Sequence, residues 1–275
     1  MNPVVMPWID NREMTQTAIY DVLEQTLSHV VLLTIDQGSR DGEWLRTWSP
    51  PGVLQWKHDP PLPSLGATWN RALRWAWESG AEHCLVVNND IRLPRGVYEA
   101  LLAVQQQTGA WFVSAVNVGE AWYDGMLRQC HLITDSLLQS RGGPDFSCFL
   151  ITKACHEAYT FDECFIPAYC EDCSYHRRLM LGGDGDKIFS VCVPYFHHGS
   201  GTLKGDARLQ DGWGAKFARC KEVYREMWGG YVNDERFTIP WDPASALHGV
   251  TNPELQAWVQ SGRDIADLLN GLRRG

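Results

Sequence analysis

Apolar and polar positions fall along the chain in blocks that read as strand, helix, strand. Val4-Val5-Met6-Pro7-Trp8 is a short apolar run closed by Asp10-Asn11-Arg12. The stretch from Thr15 to Leu27 then places Ile19, Val22, Leu23 and Leu27 at helical spacing. His29 to Ile35 is a β-branched run stopped by Asp36-Gln37-Gly38-Ser39-Arg40-Asp41-Gly42, a cluster of turn formers. The proline-rich stretch from Pro50 to Pro63 predicts a loop, and Ala67 to Ser79 predicts a helix carrying Trp69, Leu73, Trp75, Ala76 and Trp77. Cys84-Leu85-Val86-Val87 has the uniform apolarity of a strand buried on both faces, and it ends abruptly at Asn88-Asn89-Asp90.

Further along, strands are predicted over Trp111 to Val116, Gln129 to Thr134 and Phe146 to Ile151, with a loop from Gly119 to Gly125. Glu171 to Leu181 predicts a short helix, and Lys187 to Tyr195 a strand running into His197-His198-Gly199-Ser200-Gly201-Thr202. Beyond residue 205 the pattern is helical, broken at Trp241-Asp242-Pro243 and closed by an amphipathic segment from Asn252 to Leu272. Alternating strands and helices predict an α/β fold with a mainly parallel sheet, in which ligands gather beyond the carboxyl ends of the strands. The polar clusters after Ile35 and Val87 fall there.

Composition narrows the function classes. The chain has 275 residues, 44% of them hydrophobic, enough for one large core with a small appendage. With 33 acidic against 24 basic residues the formal net charge is -9, which argues against a general grip on phosphate backbones. No apolar run reaches the roughly 18 residues of a membrane span, and Met1 to Asp10 lacks the pattern of a signal peptide. The expectation is a cytoplasmic protein. Nine cysteines, an odd number, include a lone Cys170-x-x-Cys173 pair without a second pair at zinc spacing, so reduced structural thiols are expected. Of the 13 tryptophans, some could offer faces for sugar or base stacking, but core filling is the default for any one of them.

Four constellations could carry chemistry. Asp90, at the end of a buried strand, is placed to bind a hard divalent cation, which takes one or two carboxylates plus phosphate and water oxygens; a simple turn fits the tripeptide equally well. His197 and His198 precede a glycine-rich loop, and because neighbouring strand residues face opposite ways only one of them can join such a site. Glu171 and Asp172 open a helix, where carboxylates ordinarily cap, yet Asp172 there could also serve as a general base. Asp36 could accept a hydrogen bond from a base or ribose, or merely make its turn.

Taken in order, these segments resemble the family 2 glycosyltransferases with the GT-A fold. Val4-Val5-Met6-Pro7 resembles that family's opening strand, and Ile35-Asp36-Gln37-Gly38-Ser39-Arg40-Asp41 its "VDDGSxD" nucleotide-binding segment. Gly66-Ala67-Thr68-Trp69-Asn70-Arg71-Ala72-Leu73 is similar to the Gly-to-Asn helix start that follows. Leu85-Val86-Val87-Asn88-Asn89-Asp90 resembles the "LNND" variant of the Asp-x-Asp metal motif. Gly143-Pro144-Asp145-Phe146, Phe161-Asp162-Glu163-Cys164-Phe165, Glu171-Asp172 through Arg178-Leu179, and His197-His198-Gly199-Ser200-Gly201-Thr202 run like the family's later segments. The resemblance covers residues 4 to 203. Three positions depart from it: Gln37 and Asn88 each replace an Asp, and Ser174 replaces the acid after Glu-Asp.

The resemblance implies a GT-A domain over residues 1–204, with a nucleotide-sugar-binding half (1–95) and an acceptor half (96–204); the helical pattern beyond it makes residues 205–275 an extension that could cover the acceptor site or mediate self-association. It implies a Mn2+- or Mg2+-dependent, inverting transfer of a sugar from a nucleotide-sugar donor to an acceptor hydroxyl, with Asp172 as base. Asp90 with His197 or His198 would hold the metal. Pro7, Asp36, Gly66, Asn70, Asn88, Asn89 and Asp90 would contact the donor, and Phe146 and Glu171 the acceptor; Trp122 and Tyr123, in the loop leading into the acceptor half, could by their own aromatic faces stack on a sugar ring or a base of the acceptor. Acceptor classes left open are a saccharide, a lipid-linked sugar, a small molecule and a hydroxylated DNA base. Two rival functions are a sugar-nucleotide nucleotidyltransferase and a carbohydrate-binding protein without catalysis. The first would need a glycine-rich basic loop after the opening strand, where Trp8-Ile9-Asp10-Asn11-Arg12 stands instead.

Overall fold

The computed structural model describes residues 1–40, 42–48, 50–58, 60–127, 144–199 and 210–246. The strand expected over 129–134, the loop residues 200–204 and the amphipathic segment 252–272 lie outside them, as does the side chain of Trp122. Among the described residues no helix is long and apolar enough to cross a membrane.

Eight strands form one curled, mixed sheet: β1 (Asn2–Trp8), β2 (Val30–Asp36), β3 (Val53–Lys57), β4 (His83–Val87), β5 (Ile91–Arg92), β6 (Phe112–Asn117), β7 (Cys148–Thr152) and β8 (Ile188–His197), in the order β3-β2-β1-β4-β7-β6-β8-β5. The first four strands run parallel to one another. β7 is antiparallel to both of its neighbours, and β8 is parallel to β6. Because side chains alternate across a strand, Val4 and Met6 of β1 enter one core while Val5 enters the other. The first core is closed by helices α1 (Arg12–Leu23) and α4 (Val97–Thr108). The second is closed by α3 (Leu65–Glu78), α6 (Lys153–Ala158) and α7 (Glu171–Gly182). Each fully buried Val or Leu on these faces contributes roughly 1.5–3 kcal/mol.

Local chemistry sets the ends of these elements. Ser64 caps α3 by accepting the Ala67 amide at 3.1 Å. Gly66 follows because a Cβ there would stand 2.5 Å from the Asp162 carbonyl oxygen. The 16-residue helix α8 (Trp213–Trp228) packs Cys220, Val223, Tyr224, Met227 and Trp228 on Phe165 and Cys170 in a third cluster. α2 (Glu43–Thr47) and α5 (Glu120–Leu127) are short.

Four features differ from the sequence expectation. The Pro50–Pro63 stretch contains β3, a half-exposed edge strand whose flanking prolines hide its signal. The expected loop at Gly119–Gly125 is α5: Gly119 accepts the Tyr123 amide at 2.9 Å as the helix begins. β8 runs on to His197 because Phe196 and His197 pair with the two-residue β5. Past α8, residues 229–246 form turns and one 3-10 turn (Pro243–Ser245) rather than continued helix; Asp242 caps that turn through the Ala244 amide at 2.9 Å.

Candidate active site

A cleft of about 810 Å³ opens at the carboxyl ends of β1 and β4. Its walls include Pro7, Trp8, Asn88, Asn89, Asp90, Phe146, Ser147, Glu171, Asp172 and His197. Residues 107 positions apart thus meet through topology: β5 pairs with the end of β8, the His198 amide donates to the Asp90 carbonyl at 3.0 Å, and Asp90 Oδ1 lies 3.1 Å from His197 Nε2.

That pair has the spacing of two ligands of one ion. Ligand atoms at right angles around Mn2+ or Mg2+, each about 2.1 Å from it, lie about 3.0 Å from each other. The other imidazole nitrogen, His197 Nδ1, is 3.2 Å from Ser147 Oγ, and the His197 amide donates to Asn117 Oδ1 at 3.0 Å. A hydrogen bond at Nδ1 orients the ring and presents Nε2 to a metal. Among the described residues no third His, Cys, Asp or Glu forms a metal-binding cluster with them. His198 does not line the cleft; its ring packs on Phe196, on the opposite side of the strand.

The acidic pair opens α7 and lines the same cleft. Asp172 Oδ1 accepts the Cys173 amide at 2.7 Å, which fixes the carboxyl's orientation. Glu171 is only 4% exposed, and its Oε2 has no hydrogen-bond partner among the described residues. Burial, and after it the neighbouring Asp172 carboxylate, push the Glu171 carboxyl up to about 8. The turn leading into α7 is strained: Tyr169 and Cys170 both take left-handed backbone, φ 85° and 75°. α8 braces that turn. Cys220 Sγ donates to the carbonyls of Ile166 and Ala168 at 3.3 and 3.2 Å, and the Tyr169 ring meets those of Trp213 and Phe217 at 5.2 and 5.0 Å.

Other expected contacts fall elsewhere. Asp36 makes its own turn, accepting the Gly38 and Ser39 amides at 3.0 and 2.7 Å. It also lines a neighbouring pocket of about 340 Å³ with Gln55, Trp56 and Lys57, and Trp8 stands between that pocket and the main cleft. Asn70 does not line the cleft. Its amide is consumed internally, donating to Phe161 O and Glu163 Oε1 and accepting the Phe161 amide, with His156 Nε2 at 3.1 Å. Gly66 likewise serves packing against Asp162 and is not in the cleft wall. Asn89 combines both roles, lining the cleft while donating to Thr15 Oγ1 at 2.9 Å. Tyr123 is buried against Phe196, under Arg92, away from the cleft. Ser174 donates to Asp162 Oδ2 at 2.6 Å and accepts from Trp228 Nε1 at 3.0 Å, tying α7 to α8. The eight described cysteines are free thiols.

Sequence reasoning missed Ser147, Tyr169, Trp213 and Lys216, all in the cleft wall. Only Ser147 carried a signal, since it neighbours Phe146 ahead of β7.

No sequence-family model matches the chain, and no curated protein sequence does. Its backbone is similar to that of glucosyl-3-phosphoglycerate synthase from Mycobacterium tuberculosis, solved with Mn2+, uridine diphosphate and glucosyl-3-phosphoglycerate. That likeness has a TM-score of 0.53 at 15% identity and covers 80% of each chain. It is also similar to S. aureus TarS 1-349, with a TM-score of 0.50 at 11% identity over 81% of this chain and 69% of that one. TarS with UDP-GlcNAc gives a TM-score of 0.51 at 11% identity, over 71% and 58%. The chain therefore has a GT-A fold like that of the family 2 glycosyltransferases.

Proposed function

We propose that this chain is a metal-dependent, inverting glycosyltransferase that moves a sugar from a nucleotide-sugar donor to an acceptor hydroxyl. One observation carries the reading: the Asp90–His197 pair and the acidic pair at the start of α7 line the same cleft. In the two solved proteins above, the same fold holds uridine nucleotides, with Mn2+ in the synthase.

Asp90 and His197 would hold Mn2+ or Mg2+, which when bound offsets the negative charge of a departing diphosphate. Asn88 and Asn89 line the same end of the cleft, where their amides can hydrogen-bond phosphate or ribose oxygens. Asp172 takes the proton from the acceptor hydroxyl as that oxygen attacks the anomeric carbon, a role worth roughly 10²- to 10⁴-fold in rate. A base in the same cleft as the diphosphate site suits a single displacement, which inverts the anomeric centre. Asp36, in the adjoining pocket, would face the nucleoside.

The test is incubation with a panel of nucleotide sugars and Mn2+, following nucleoside diphosphate release. Slow, metal-dependent hydrolysis of one donor is expected. No release from any donor would favour a binding protein on this fold, and pyrophosphate-dependent release of nucleoside triphosphate would favour a nucleotidyltransferase.

A further inference from the structure

The cleft has a wall that the resemblance does not cover. Trp213 and Lys216, one turn apart on α8, line it together with Tyr169, Glu171 and Asp172. They lie on the α7 side, because the Trp213 ring meets that of Tyr169, three residues before Asp172. A hydroxyl that gives its proton to Asp172 must come within about 3 Å of it, so the acceptor occupies this side.

The chemistry of this wall is selective. Tyr169 and Trp213 offer aromatic surface against which the apolar face of a sugar ring can pack. Lys216 is exposed, and no carboxylate among the described residues pairs with it, although the cleft also holds Asp90, Asp145, Glu171 and Asp172. In a chain of net charge -9, a lysine lining the cleft with no carboxylate partner among the described residues can offer its ammonium to an anionic group of a ligand.

We propose that Lys216, with the rings of Tyr169 and Trp213, forms an acceptor subsite selecting a sugar-like acceptor that carries a phosphate or carboxylate group. This rests on the glycosyltransferase reading for its role in turnover, but the binding it predicts can be measured without turnover. A charge-assisted hydrogen bond at this exposed position is worth about tenfold in affinity.

The test is calorimetric titration of the full chain, alone and with Mn2+ and uridine diphosphate, using glucose, glucose 6-phosphate and glucuronate. At least one charged probe is expected to bind about tenfold more tightly than glucose, and which one does so tells phosphate from carboxylate. Lys216→Gln should erase that margin and Lys216→Arg should keep it, with thermal midpoints unchanged. Equal or undetectable binding of all three probes, or a margin that survives Lys216→Gln, would overturn the subsite. A loss of uridine diphosphate affinity in Lys216→Gln, read in the same titrations, would assign the lysine to the donor diphosphate and overturn the subsite. Absence of hydrolysis with every donor would instead sink the catalytic reading and leave the binding result standing.

Discussion

Replacing Glu171 by Gln isolates the energetic cost of the buried acid at the cleft. In the folded chain this carboxyl titrates near 8, against 4.5 for a free glutamate, because it is buried beside Asp172 with one oxygen unpartnered among the described residues. Below pH 4.5 both folded and unfolded chains hold the proton. As pH rises the unfolded chain releases it first, so the folded state loses stability until its own carboxyl ionises near 8. At 1.36 kcal/mol per pKa unit, the loss between pH 5 and pH 8 is about 4 kcal/mol. Glutamine keeps the shape and cannot ionise. Urea denaturation of wild type and Glu171→Gln across that range should show the variant gaining on wild type with rising pH, by an amount of that order. Parallel stability curves would refute the reasoning, because they would mean that Glu171 ionises in the folded chain as readily as in the unfolded one.

Three further outcomes follow from the packing around the site. Burial holds His156, between Trp77 Nε1 and Asn70 Oδ1, down to about 4 from 6.5. The unfolded chain therefore binds the proton first as pH falls through that window, and folding loses up to about 3 kcal/mol; His156→Gln should flatten this acid limb in a urea series. Ser147→Ala removes the partner of His197 Nδ1 and should weaken Mn2+ binding about tenfold by calorimetry. Gly66→Ala sets a Cβ against the Asp162 carbonyl and should cost about 1–3 kcal/mol in thermal or urea unfolding.

How much of this could be read from the chain depends on how local each signal is. β4 was plain, since four consecutive apolar residues ending in Asn88-Asn89-Asp90 have one ready reading as a buried strand with a polar end. β3 was hidden among prolines, and β5, only two residues long, has no periodicity to detect. Yet β5 is what carries Asp90 to His197, so the resemblance could name the pair while the sequence alone could not place it. Asn70 illustrates the reverse: its position in a recognisable segment suggested donor contact, but its amide is spent holding the 161–163 backbone and side chains. Tyr123 lies in a stretch whose glycines predict a loop, and it is instead covered by Phe196 and Arg92 once α5 forms. The cleft wall from α8 was out of reach because Trp213 and Lys216 acquire meaning only through the contact with Tyr169, 44 residues earlier.

The most direct measurement is electron–nuclear resonance on Mn2+ bound to the protein with a nucleoside diphosphate. Coupling to one imidazole nitrogen and to phosphorus is expected in wild type, with the nitrogen signal lost in His197→Ala and kept in His198→Ala. A nitrogen signal that survives His197→Ala, or Mn2+ binding that is indifferent to Asp90→Ala, would contradict the assignment of Asp90 and His197 as the cation site of this cleft.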